Sequence, residues 1–349
     1  MHVLINDFIG GALDRGIPLY VRNLIEGLRG EGLRVSVVRA PAFCRKLPRS
    51  VLYLIAVFVE QALLPAIGFW LRADFTIYPY NSIAVIDLLT RRGRIVVHDL
   101  EQLNRPPSFS KLYYLFCYRA VKWFNAPLFT ISEITRQRLA QSGLFGNGPV
   151  TLLPNTFYAF ERLAAVQTPR RAQSILLCTG STANKDLETV VAEYLPAVLA
   201  QGYRVSILGL HKASDMAKLE PLAAFRASDQ LHLCGLLSDS EVTRAYRSHA
   251  IVWVHSLREG FGRCVVEGRL TSARVLASDI AEFAELRDSG VYLYDNPAVF
   301  HAELGRLALM TGPAAPYTGY PYRELLHRAI ETAMRPTTAR SAARSPQAI

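Results

Sequence analysis

The segment HSLREGFGRCVVEGRL (255–270) carries two carboxylates, Glu259 and Glu267, eight residues apart, with Gly260, Phe261 and Gly262 between them. The apolar run IVWVHS (251–256) just before it reads as a buried strand. Residues 257–262 are then the loop at that strand's carboxyl end, and a helix begins near Arg263, placing Glu259 in the loop and Glu267 about one turn into the helix. The amides of Gly262, Arg263 and Cys264 become unpaired donors of a helix start, where the helix dipole favours an anion such as phosphate. Gly260 and Gly262 let the backbone approach a ligand with no side chain in the way. A carboxylate accepts two hydrogen bonds side by side, which suits the vicinal diol of a ribose or a sugar ring. The set answers to a nucleotide-sugar: phosphates at the helix start, ribose on one glutamate, sugar on the other. The plainer alternative leaves Glu267 solvated on its helix and Glu259 beside a helix start.

Short apolar runs alternate with amphipathic ones along most of the chain. Strands are expected at 2–6, 34–40, 75–80, 94–99, 126–131 and 150–155, then at 174–180, 204–210, 231–235, 251–256, 274–279 and 291–295. Helical spacing appears over 17–32, 110–124, 132–143 and 322–334. Such alternation predicts an α/β fold with parallel sheets covered by helices on both faces. The pattern lapses after Asn155 and restarts at Ser174, and 349 residues are too many for one core. We therefore expect two Rossmann-like, doubly wound domains facing across a cleft, residues 1–160 and 174–312, joined by a linker at 161–173. A helix within 313–335 would pack back on the first domain, and the tail 336–349 reads as disordered.

The net charge of +10 favours anionic partners. Nucleic acid is the weakest of these, since no zinc-finger spacing, basic zipper or aromatic RNA-binding signature is present. The five cysteines, 44, 117, 178, 234 and 264, form no C-x-x-C pair and suggest neither a disulfide framework nor a zinc site. MHVLIND reads as a strand rather than a secretory signal. Residues 51–71 are long and apolar enough to span a bilayer, but Glu60 and Gln61 sit at the centre and Pro65 would kink a helix there. A buried or surface helix is the better reading, with partial embedding in a membrane surface as the other.

Several motifs, in order along residues 1–300, resemble the retaining GT-B glycosyltransferases, specifically glycosyltransferase family 4, in the manner of bacterial polysaccharide or O-antigen mannosyl- and rhamnosyltransferases. They are SLREGFGRCVVEG with VLASDIAEFAEL, VVHDL (96–100), TISEIT (130–135), LLPNTF (152–157), GSTANKDLETVV (180–191), YPYNS (78–82) and the Glu60–Gln61 pair. The resemblance implies that Lys185 binds the donor diphosphate and that Glu259 holds donor-sugar hydroxyls. Gly180 opens the Lys185 segment, the amides of Gly260, Phe261 and Gly262 lie along sugar and phosphates, and Glu267 takes the ribose. His98 would reach the transferred sugar from the opposite wall, and the loop IGGALDRG, with Gly10 and Gly11, would approach the phosphates from the first domain. The family's second phosphate arginine is replaced by Ser181 and Thr182, and Arg263 stands where it could supply the missing cation. SARV (272–275) departs from the family's G-t-P-V in a packing turn.

The implied reaction transfers a sugar from a nucleotide-sugar to a glycan hydroxyl with retention and no covalent enzyme intermediate. No D-x-D triplet is present, so no metal and no cofactor are expected. Basic residues interleaved with apolar ones (CRKLPR at 44–49, RRGR at 91–94, Lys111, Arg119, Lys122) suggest an anionic membrane surface and a lipid-linked saccharide acceptor. That places the chain on the inner face of a bacterial cytoplasmic membrane, in polysaccharide or lipopolysaccharide biosynthesis. Two alternatives remain, a nucleotide-sugar epimerase of similar fold and a non-catalytic sugar-binding scaffold. An NAD-dependent dehydrogenase is disfavoured because GGALDRG supplies no G-x-G-x-x-G turn.

Overall fold

The computed structural model describes residues 1–10, 16–100, 103, 106–164, 169–211 and 213–334. Two parallel six-stranded sheets follow one another along the chain. The first contains β1 (His2–Asp7), β2 (Arg34–Arg39), β3 (Phe75–Tyr78), β4 (Gly93–Val97), β5 (Leu128–Thr130) and β6 (Val150–Leu152), in the order β2-β1-β3-β4-β5-β6. The second contains β7 (Arg171–Cys178), β8 (Arg204–Leu208), β9 (Leu231–Leu233), β10 (His249–Val254), β11 (Arg274–Ser278) and β12 (Val291–Tyr294), in the order β12-β11-β10-β7-β8-β9. Every residue of β1, β3 and β4 is buried, as strands covered on both faces require. The edge strand β2 is half exposed and carries arginine at both ends.

In each sheet the winding direction reverses once, between β1 and β3 in the first and between β7 and β10 in the second. Helices leave opposite faces at such a point, so the loops beyond the strand ends part and open a crevice. The loops after β7 and β10 are the ones that carry Lys185 and Glu259.

Local chemistry sets the helix limits. Ser132 accepts a hydrogen bond from the Thr135 amide and starts the helix Glu133–Ser142, which ends at Gly143 in the left-handed region. Ser108 caps the helix Phe109–Trp123 in the same way. The helix Tyr322–Met334 lies against the first domain: Leu326 is fully buried beside Gly27, and His327 Nδ1 is 3.2 Å from Glu31. The tail 336–349 lies outside the described residues.

Two expectations need correction. The linker expected at 161–173 is shorter at both ends, because the helix Tyr158–Ala164 runs into it and β7 starts at Arg171. Phe160 is buried edge-on to Tyr246 of the second domain, with ring centroids 5.7 Å apart, so this helix packs between the domains. Arg170, just before β7, donates to the carbonyl oxygens of Tyr246, His249 and Thr271. The second correction concerns Pro65. The apolar segment stays helical through it, as Arg49–Phe58, a π-helical turn Val59–Leu63, and Leu64–Trp70. The wider turn places Pro65 at the start of the following helix, where its missing N–H breaks no ladder bond.

Glu60, in that π turn, is 4% exposed. Its carboxylate accepts from Asn6 Nδ2 (2.8 Å), Ser82 Oγ (2.8 Å) and Tyr113 Oη (2.7 Å), joining β1, the segment after β3 and the 109–123 helix. Burial raises its pKa from 4.5 to about 7, the three donors opposing only part of the shift. The unfolded chain gives up this proton more readily, so the stabilisation present below pH 4.5 is lost as pH rises through about 7. At 1.36 kcal/mol per unit the loss approaches about 3 kcal/mol. Glu60→Gln, which mimics the protonated acid, should flatten this part of the stability curve in urea unfolding measured across that pH range.

Candidate active site

The loop after β7 passes Gly180 and makes a short turn, Ala183–Lys185, that lifts Lys185 towards the loop after β10. The two loops are tied together: Leu257 N–H and Ser256 Oγ donate to the Asn184 carbonyl, each at 2.8 Å, and Asn184 Nδ2 donates to the Arg258 carbonyl at 3.2 Å. Lys185 Nζ and Glu259 Oε1 consequently meet in a direct ion pair, with both side chains about one-fifth exposed. Burial alone would lower the Lys185 pKa, but the Glu259 carboxylate outweighs it, so the ammonium stays protonated above its usual value.

A cavity of about 230 Å³ lies beside this pair. The second domain's contribution to its lining includes Lys185, Glu259, the Gly260–Gly262 turn and Arg263, and the first domain's includes Ile17, Tyr20, His98, Asp99 and Asn155. A larger cleft of about 880 Å³ continues from it between the domains, lined by both Glu259 and Asp99. Gly262 caps the helix Arg263–Leu270, its carbonyl accepting the amides of Val265 (3.0 Å) and Val266 (3.3 Å), while the Arg263 amide turns to the Phe261 carbonyl (3.3 Å).

His98 follows β4 and is 6% exposed. Its amide donates to Oδ1 of Asn81 (3.0 Å), which holds a left-handed conformation at φ 60°, and its ring stands edge-on to Tyr20 at 4.8 Å. Nε2 lies 2.9 Å from the Pro79 carbonyl oxygen, so Nε2 carries the proton. Burial pushes the ring pKa down to about 4, outweighing Asp99 and the Pro79 bond, so at neutral pH the ring is uncharged and Nδ1 is an acceptor.

The domains meet at Gly260. Its carbonyl oxygen accepts from Ser132 Oγ at 2.8 Å and Thr135 Oγ1 at 3.4 Å, and a methyl group on its Cα would lie 2.6 Å from the His98 carbonyl oxygen. Around this contact the Glu285 carboxylate accepts the amides of Glu133 (2.8 Å) and Ile134 (3.2 Å) at the amino end of the 133–142 helix. Glu282 Oε1 accepts both Arg138 Nη1 of the first domain (2.6 Å) and the Glu259 amide (3.3 Å), steadying the loop that carries Glu259.

The expected site residues do not all share one environment. Arg263 lines the cavity, but its guanidinium is engaged by Asn155 Oδ1 and Glu267 Oε1, both at 3.0 Å, and lies over the Phe157 ring. Glu267 is 7% exposed behind Arg263 and lines neither cavity. Gly180 is buried two residues past β7, and a methyl group on its Cα would lie 3.8 Å from the Lys185 side chain. Gly10 is needed for packing, since a methyl group there would overlap Asp7 and Tyr80. Gly11 and Arg15 lie outside the described residues. Among the described residues, no three His, Cys, Asp or Glu side chains form a metal-holding group. Sequence reasoning assigned no role to Tyr20, Asn155, Glu282 or Glu285. Tyr20 reads as a core residue of an amphipathic helix. The other three lie in motifs already quoted, LLPNTF and DIAEFAEL, which were the available signal.

Residues 173–309 match the family of glycosyl transferases group 1. A search of curated proteins found no match to the sequence. Among solved structures, the chain resembles a glycosyltransferase from Rickettsia africae ESF-5, 14% identical, at a TM-score of 0.64 over 95% of this chain and 97% of that one. It also resembles HepE of Anabaena in complex with UDP and glucose, 14% identical, at a TM-score of 0.62 over 95% and 99%. Sucrose-phosphate synthase from Thermosynechococcus elongatus is 16% identical, at a TM-score of 0.61 over 94% of each chain. At these identities the likeness shows the fold. The chain has the GT-B fold, and its carboxyl-side residues 173–309 are similar to the glycosyl transferases group 1.

Gly260→Ala should hold the domains apart, since the added methyl meets backbone rather than a side chain that can turn away. We expect a larger radius of gyration by small-angle scattering and a stability loss of about 1–3 kcal/mol.

Proposed function

We propose that this chain is a metal-independent, retaining glycosyltransferase that moves a sugar from a nucleotide-sugar to a hydroxyl of a lipid-linked glycan. The observation that carries the reading is the Lys185–Glu259 pair, set at the switch point of the group 1 domain and facing His98 across the cavity. Solved relatives of the same fold hold UDP with glucose, and ADP with acarbose. Lys185 binds the donor diphosphate, which competes with Glu259 for the ammonium. Once that pair opens, Glu259 is released to accept hydroxyls of the donor sugar.

Leaving-group charge is met by Lys185, by the glycine turn and by the positive end of the Arg263–Leu270 helix dipole, all held in place before the reaction. His98 receives a sugar hydroxyl on Nδ1 as a neutral acceptor, its orientation set by Pro79 and Tyr20. Arg263 adds positive potential near the phosphates while Glu267 and Asn155 keep it extended. Glu267 then reaches the ribose only by exchanging its bond to Arg263. The closed Gly260 contact keeps water from the bond being broken, and departure and attack take place on one face of the sugar. The acceptor enters through the larger cleft past Asp99. A glycan carried on a membrane lipid at the cytoplasmic face, in cell-surface polysaccharide or lipopolysaccharide synthesis, suits the basic first domain, and family 4 of the glycosyltransferases is the class we assign.

A screen of nucleotide-sugars with a short-chain lipid-linked saccharide as acceptor tests this reading. Lys185→Ala should lower kcat/KM about a hundredfold with every donor that is turned over. Glu259→Gln should lower kcat more than it weakens binding of the bare nucleoside diphosphate, because it loses the sugar contact alone. Turnover should survive a chelator, and the anomeric configuration of the product, read by NMR, should match that of the donor. Release of an epimerised donor without an acceptor would remove the transferase reading.

A further inference from the structure

The first domain leaves an apolar face uncovered. On the helix Arg49–Phe58, Val51, Leu54 and Phe58 point to solvent, and Phe69 and Trp70 follow at the end of Leu64–Trp70, Trp70 being 81% exposed. On the helix Phe109–Trp123 the solvent stripe runs Phe109, Leu112, Phe116, Arg119 and Trp123, with Trp123 at 85%. In a helix packed on a soluble core these positions are normally polar. The two helices lie side by side, since Tyr113 of the second bonds Glu60 and Gln61 of the first. Only 33% of the most apolar window of Ser50–Trp70 is buried. The buried part, with Glu60, Leu64, Pro65 and Gly68, belongs to the domain core, so this helix lies along a surface rather than crossing a bilayer. Exposed Lys46, Arg72, Arg119 and Lys122 follow or flank the apolar positions.

The seam between the helices is open. A narrow crevice runs between Tyr53, Ala56 and Val57 on one side and Phe109, Tyr113 and Tyr114 on the other. It reaches down to Glu60 and shares Ile9, Tyr53, Tyr80, Ser110 and Tyr114 with the interdomain cleft, which Glu259 lines.

We infer that these two helices form an interfacial docking face for an anionic lipid bilayer, and that the crevice between them admits the first apolar segment of a membrane-held acceptor into the cleft. The crevice part rests on the transferase reading above. The docking part does not. Aromatic and leucine side chains lie at headgroup depth while the cations meet lipid phosphates, a pairing of apolar area with positive charge that suits a bilayer better than a protein partner. An acceptor held there presents its glycan along the cleft towards Glu259 without leaving the membrane.

The test is co-sedimentation of the full chain with vesicles of phosphatidylglycerol and phosphatidylcholine in equal parts, against phosphatidylcholine alone, at low and high salt. Binding should favour the anionic vesicles and weaken with salt. L54E/F58E and L112E/F116E should each reduce it by about tenfold. Leu236→Glu, an exposed apolar position on the other domain, should bind like the parent chain. Nucleoside diphosphate binding followed by thermal shift should be intact in all of them, showing that they are folded. Parent chain that remains in the supernatant, or paired variants that sediment like it, would overturn the docking face. So would a dimer in sedimentation equilibrium that L54E/F58E dissolves, since a second copy would then cover the surface.

Val57→Trp fills the crevice without charging the face. It should leave vesicle binding unchanged and lower turnover of a long-chain lipid-linked acceptor by about tenfold, with a short-chain acceptor unaffected. Equal effects on both acceptors, or none, would remove the crevice inference. Vesicle binding that persists with no donor turned over on any acceptor would instead remove the transferase reading and leave docking standing.

Discussion

A backbone contact holds this molecule in its working shape. The loop after β10 runs between the two domains, with Gly260 almost touching the His98 carbonyl and its own carbonyl held by Ser132 and Thr135. Nothing larger than glycine fits there. Glu259 is the residue just before this contact, so the side chain that pairs with Lys185 points where the domain interface directs it. Glu282 and Glu285 add charge-assisted bonds from the second domain to the first around the same point. Site geometry and domain closure are therefore a single constraint.

Electrostatics divides the cleft into unlike walls. The second-domain wall pairs a retained positive charge, Lys185, with Glu259, and keeps Arg263 extended between Asn155 and Glu267. The first-domain wall sets an uncharged imidazole, kept neutral by burial of His98, beside the Asp99 carboxylate. One wall thus holds the cations with their paired carboxylates, while the other offers acceptors and an aromatic ring. The π turn belongs to the same arrangement: widening the helix at Val59–Leu63 turns Glu60 inward to join three elements at the first sheet's switch point.

Much of the fold was legible in the sequence. All twelve strands lie at the expected positions, because a strand covered on both faces must be an unbroken apolar run and a linear pattern records that directly. The chemistry of the 255–270 segment was also legible, since glycines, acids and a helix start are local properties. The domain junction was not. Arg170 and Pro169 have linker composition, yet Arg170 is a half-buried tie to three carbonyls contributed by Tyr246, His249 and Thr271, far along the chain. Glu267 and Arg263 show the same limit. Four residues apart on one helix they face each other, and only their surroundings decide whether each points to a ligand or to its neighbour.

The sequence by itself determined the strands and helices, the two tandem sheets and the residue types of the glycine-rich turn, because each rests on periodicity or on contacts within a few residues. Only the tertiary structure decided that Glu259 meets Lys185, that Gly260 touches His98, that Tyr20 fixes the imidazole and that an apolar stripe is left bare on two neighbouring helices. Those facts depend on the order in which strands lie in space and on the angle at which two domains close, and no linear pattern encodes either.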